Sequence, residues 1–448
     1  MIAPLVLLAA LGVTLAAMQW RPWFALGLTL AVPLFFRFSS DGIAFGESVF
    51  TPQAGVTLPL SVVGAALFAG LIRAVQVRHA DAAVLAFVAW GLMVFVIGLA
   101  VRTPAPLILL QVLGPGYFYV VGRSIERVAD VKLLFIGLGT GAAAACLWLA
   151  LSSVLLDAAS GSDAISDRLI GGLVVYQAYD YFPFLLVIAS MILLSLFLST
   201  KQLRYVALAL FTASLVLLLR SRVALLSLLI AGVVLLVLER QRVSLRTSAA
   251  IAGACIVCLG VAFIGGIPSV TRLVQGVTNA QASVDESNRT RLESMRTAGR
   301  LVLSSPLIGR AFEPTGRDVG TGLRKSWNAH NQYLDLAVRG GLPLAFAFAA
   351  VVIAAVAPSV RRERMRWSST ALDPYRHGLI AITFAAAVAS NMAQSTFIQP
   401  LTANAMWLFL GVLVGLPQID PHTAPSSVAG GRARVRTRRD ASAEKESR

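Results

Sequence analysis

Runs of about twenty apolar residues recur along most of this 448-residue chain, as in Ala82 to Val101 and Leu133 to Leu156. A helix of that length crosses a hydrocarbon core of roughly 30 Å with its backbone hydrogen bonds satisfied internally. Short alternating segments, which a membrane β-barrel requires, do not recur. Hydrophobic residues make up 57% of the chain and charged residues 13%, about half the charged share of an average globular protein. The fold class this predicts is all-α: a polytopic transmembrane helical bundle.

Candidate spans run approximately 3–19, 23–36, 56–72, 82–101, 104–121, 133–156, 183–199, 205–219, 223–238, 247–265, 341–358, 378–395 and 402–416. Twelve crossings are preferred and thirteen remain open, because the short pair around Arg21-Pro22-Trp23 can merge. The first run, which lacks a basic leader, is read as a retained helix. The formal net charge of +16 falls mostly in short connectors and the C-terminal tail. That distribution is the positive-inside bias, so the partners of this charge are membrane lipids and not nucleic acid.

Basic connectors at Arg73 and Arg78, Arg123 to Lys132, Lys201 to Arg204, Glu239 to Arg246 and Arg361 to Arg366 are therefore assigned to the cytoplasm, with the Arg432 to Arg439 tail. Parity then places the long polar segment from Gly266 to Val338 outside, together with 157–181 and the Arg220-Ser221-Arg222 turn. Four regions follow: an N-terminal bundle at 1–265 carrying that turn, a large outer loop at 266–338, membrane helices at 339–418 and a basic tail at 419–448. Cys146, Cys255 and Cys258 all lie in apolar runs. Without a second ligand pair, the CxxC spacing of the last two gives no zinc or redox site.

Three features of the outer face carry possible chemistry. The run after Asn288, a candidate N-cap, has helical spacing. At about 100° per residue Met295, Ala298 and Val302 share one face and Arg289, Arg296 and Arg300 the opposite one. Arg291 projects with the apolar face. There it forms a structural ion pair or meets an anion, with first-turn N–H groups favouring the latter. At Arg220-Ser221-Arg222 two arginines interrupt an apolar run. Arginine at membrane depth costs a few kcal/mol, so one side chain either snorkels outward or serves a site.

The third feature is His330, one of only four histidines. If Asn328 caps a short helix through Tyr333 and Ala337, His330 occupies its first turn, where the helix dipole disfavours imidazolium. The neutral ring suits a general base, with Asn331 orienting a hydroxyl or the backbone. An interfacial histidine packed against headgroups is the plainer alternative. Gly340-Gly341 ends the run and Pro343 opens the next membrane helix.

Taken in order, the SR pair after LLLR, RLESMRTAGRLVLSSPLIG and HNQYLDLAVRGGLPL resemble the bacterial O-antigen ligase and polymerase superfamily from about Arg220 to Leu344. The resemblance implies a metal-independent, cofactor-free glycosyltransferase of GT-C type, acting at the periplasmic face of the inner membrane on an undecaprenyl diphosphate-linked glycan donor. In its terms His330 matches the catalytic histidine, and Arg222 and Arg291 match arginines that would bind the diphosphate. Asn331, Arg220 and Arg289 are supporting candidates. The chain departs from the family pattern at Met295 for tryptophan, Ala311 for glycine, Asn328 for the first histidine of HxHN and Arg339 for an acidic residue. The activity implied is ligation of glycan to lipid A-core. A polymerase that joins lipid-linked repeat units is the alternative, and a polysaccharide flippase or secondary transporter is the alternative of another class.

Overall fold

A computed structural model describes residues 21–31, 79–101, 108–160, 181–218, 221–240, 286–312, 316–317, 324–325, 329, 331–365, 372–393 and 400–419. The expected spans 3–19, 56–72 and 247–265 lie outside them, as do His330 and Arg220. The helices are α1 (Pro22–Ala31), α2 (His79–Val101), α3 (Ile108–Arg123), α4 (Val128–Ser160), α5 (Tyr181–Thr200), α6 (Leu203–Leu218) and α7 (Arg222–Leu238). They continue as α8 (Glu286–Ser304), α9 (Gln332–Met365), α10 (Asp373–Ala393) and α11 (Pro400–Ile419). Four are long and apolar enough to cross a membrane, at Ala80–Ala100, Val128–Leu147, Pro183–Thr200 and Gln332–Arg361; three shorter apolar helices accompany them. The all-helical architecture is interrupted among the described residues by one two-residue antiparallel pairing, Gly316–Arg317 with Arg324–Lys325.

Helix packing follows the small-residue logic of membrane bundles, in which glycine lets backbones approach closely. On α4, Gly137 and Gly141 lie one turn apart. A Cβ on Gly137 would run into the Phe24 carbonyl of α1, and one on Gly141 would sit 2.8 Å from the Ala31 methyl. Gly411 and Gly415 of α11 repeat the device against the α3 backbone at Tyr119 and Arg123. Around α5, nearly every side chain from Pro183 to Leu193 is buried. Its Ser190 hydroxyl shares a 2.8 Å hydrogen bond with the Thr212 hydroxyl of α6.

Polar ties close the ends of helices. The Tyr119 hydroxyl donates to the Asp81 carboxylate at 2.7 Å, and the Arg123 guanidinium lies 3.5 Å from the same oxygen, joining α2 to α3. At the end of α7, Glu239 meets His377 of α10 at 2.8 Å, both side chains buried. The basic connector expected after residue 360 is instead helical, since α9 continues to Met365.

Candidate functional site

The region around position 330 is built on a break in α9. Gly341 has φ 81 and ψ 171, which only glycine adopts without strain, and Pro343 removes the next helical donor. Although the run 332–361 reads as one apolar span, the break splits it. Residues 342–361 are long enough to cross a bilayer, about 30 Å at 1.5 Å per residue. The part before the break folds back on them, for the Tyr333 ring lies 5.5 Å from that of Phe348, fifteen residues later. Phe348 in turn packs on Trp407 and Phe87, whose own rings are 5.1 Å apart, so the short arm 332–340 is stapled to α2 and α11. The break is therefore a corner.

Backbone groups at the corner find partners elsewhere, as burial demands. The Leu342 amide donates to the Pro306 carbonyl (2.8 Å) rather than to Val338, whose carbonyl accepts the Arg310 amide (2.7 Å). The Arg339 carbonyl, which faces the missing donor of Pro343, accepts the Phe312 amide at 3.0 Å. Trp90 of α2 supplies its indole N–H to the Gly340 carbonyl at 2.8 Å. The loop 305–312 thus docks onto the corner, and its left-handed residues Gly309 (φ 58), Ala311 (φ 48) and Phe312 (φ 60) give it the necessary turn. The positive φ at Ala311 is a conformation that glycine adopts more easily, in keeping with the glycine the resemblance leads one to expect there.

The cap of the short arm is Asn331, which corrects the assignment to Asn328. Its side-chain oxygen accepts the amides of Tyr333 (3.0 Å) and Leu334 (3.1 Å), the N2 and N3 donors of a helix beginning at Gln332. Position 330 consequently precedes the cap and does not lie in the first turn. One further bond spans it: the Ala329 amide donates to the buried Asp335 carboxylate at 2.6 Å. His330 is outside the described residues, but the residues on either side of it are held. Asn331 acts on backbone here, one of its two expected uses.

At the SR pair the chain leaves helical conformation, with Ser221 at φ −91 and ψ 103. A continuous register through Arg220 and Arg222 is thereby excluded. Ser221 is buried and caps α7, its hydroxyl accepting the Ala224 amide at 3.3 Å, which places Arg222 at the first helical position. Arg291 is half-buried on α8, and burial follows the expected phasing: Ala298 and Val302 are enclosed, Arg296 and Arg300 exposed. Because α8 begins at Glu286 rather than after Asn288, Arg291 stands beyond the first turn and the free N–H groups there do not reinforce it. The helix carrying Arg291 packs directly against α9. Arg289 lies in α8 as well.

Sequence reading missed Asp335, Trp90 and the loop at 305–312 as builders of this region. Only the PL-x-G step signalled the loop.

Apolar helices long enough to cross a membrane, one of them broken at Gly341 where the 305–312 loop docks, define a multi-pass membrane protein. Residues 206–349 match the family model described as O-antigen ligase, which supports the O-antigen ligase and polymerase superfamily and, at family level, an O-antigen ligase-type activity. The matched segment contains the SR pair, Arg291, the docking loop, His330 and the corner. No curated protein matches the chain.

Proposed function

We propose that the protein is an O-antigen ligase that transfers a glycan from undecaprenyl diphosphate to lipid A-core oligosaccharide at the periplasmic face of the inner membrane. The family match across 206–349 supports this reading together with one observation, the doubly held backbone on either side of position 330. A glycan on a lipid diphosphate already carries a good leaving group. The enzyme has to stabilise charge on that group and activate an acceptor hydroxyl.

In this reading the His330 imidazole takes the proton as the acceptor oxygen bonds to the anomeric carbon. The bond from that carbon to the diphosphate oxygen breaks and its electron pair leaves with the diphosphate, inverting the centre. Arg222 and Arg291 bind the departing oxygens through planar guanidinium forks, with Arg220 and Arg289 adding positive charge nearby. Loss of the general base costs about 10²- to 10⁴-fold.

The test is reconstitution of purified protein with undecaprenyl diphosphate-linked glycan and either lipid A-core or a second lipid-linked unit. Product on lipid A-core alone, lost in H330A, is the expected outcome. Product only with the second lipid-linked unit would replace the ligase by a polymerase, and full activity in H330A would remove the histidine from its role. In the same system R222A and R291A are expected to weaken donor binding; unchanged donor affinity would reject the diphosphate contacts.

A further inference from the structure

Exposed apolar side chains continue from the membrane-crossing part of α9 onto the outer segment. Beyond the corner, Leu342, Phe346 and Ile353 are exposed (38%, 68% and 64%), at spacings that put them on one helical face, as expected for a surface in contact with lipid. That face does not stop at the corner. Leu307 is 67% exposed, and the Leu342–Pro306 hydrogen bond and the contact of Gly341 with the Leu307 carbonyl hold it beside Leu342. Leu303, 81% exposed, comes four residues earlier in the last turn of α8.

Behind this strip the same side of α8 turns basic. Arg296 and Arg300 are exposed and fall at the spacing that groups them with Leu303, and on this side they outnumber Glu293. An apolar edge with arginines one and two turns behind it is the pattern of a helix seated in a bilayer interface, with aliphatic side chains among acyl chains and guanidinium groups at the phosphates. In water the strip would expose Leu303 on a helix whose opposite face is already buried against α9, and Leu307 on the loop that follows it.

We infer that the Leu303–Leu307–Leu342–Phe346 strip inserts the end of α8 and the docking loop into the outer leaflet, where Arg296 and Arg300 bind the headgroups of anionic phospholipid. The occupant is the bilayer itself, because the strip is continuous with the lipid-facing surface of α9. If the glycan-transfer reading holds, the consequence is that the site meets a lipid-linked diphosphate at headgroup depth, without lifting the substrate from the membrane.

The experiment needs no glycan, so its result is independent of the proposed reaction. Single cysteines at 303, 307, 353 and 297, introduced into full-length protein lacking Cys146, Cys255 and Cys258, are spin-labelled in nanodiscs containing phosphatidylglycerol. Labels at 303 and 307 are expected to show an oxygen-to-nickel accessibility ratio several-fold above that at exposed Thr297 and close to that at Ile353. Ratios at both positions equal to that at Thr297 would overturn the inference. For the arginines, R296Q/R300Q is expected to raise nickel access at 303 and to abolish the difference between phosphatidylglycerol discs and phosphatidylcholine discs. A difference that survives the double substitution would overturn the headgroup contact.

Discussion

The Asp335 carboxylate accepts the Ala329 amide at 2.6 Å, clasping the chain around the one residue between Ala329 and the Asn331 cap. Asp335 is nearly fully buried, so its hydrogen bond forms away from competing water and is worth more than a surface equivalent. D335A should leave the Ala329 amide without this acceptor and cost about 1–3 kcal/mol, the range for orphaning a buried polar group. We expect glycan transfer to fall mainly in kcat with little change in donor KM. D335N, which keeps an acceptor oxygen, should retain more activity than D335A; equal losses in the two would show that the clasp does not act through that bond.

The corner itself tolerates only glycine. A Cβ at position 341 would overlap the Leu307 carbonyl, and φ 81 adds backbone strain of order 1–3 kcal/mol for any other residue. G341A is expected to undock the 305–312 loop, read as faster proteolysis of the outer segment in intact proteoliposomes. Proteolysis unchanged from the parent would show that the loop holds without the corner.

Trp90 reaches the corner from another helix. W90F keeps an aromatic ring and removes the indole donor to Gly340, and hydrogen bonds between membrane helices average about 0.6 kcal/mol with a maximum near 1.7. A stability loss within that range, measured by unfolding in mixed micelles, is the expected result. A larger loss would mean that ring packing on α9 dominates over the bond.

At the far end of α7 the Glu239–His377 pair provides a contrast. Glu239 follows a helix of 17 residues that starts at Arg222, so about 25 Å separates it from the SR pair. Leaving a buried polar group without its hydrogen-bond partner costs about 1–3 kcal/mol, and H377A should lower thermal stability by that order while leaving transfer per folded molecule unchanged. Activity lost at preserved stability would connect this pair to the site.

Much of this was legible in the chain. The bounds of α5 and α7 emerge because uninterrupted apolar runs end in polar residues, and the faces of α8 because arginine and small apolar residues alternate with helical period. What escaped depends on contacts distant in sequence or on equivalent local choices. Asn328 and Asn331 are both good caps by type; only the helix start at Gln332 selects between them. The start of α8 was set too late because Glu286 and Ser287 carry no apolar periodicity. Nothing local to Trp90 indicates that its partner is Gly340, 250 residues away.

That separation governs when the corner can form during synthesis. Trp90 enters the membrane long before Gly340 leaves the ribosome, and the 305–312 loop is also made before the turn it must grip. Contacts between such distant parts of a chain close late, after the intervening helices have been inserted. The corner is therefore among the last parts of the site region to close, and a nascent chain stopped anywhere before Gly341 lacks it.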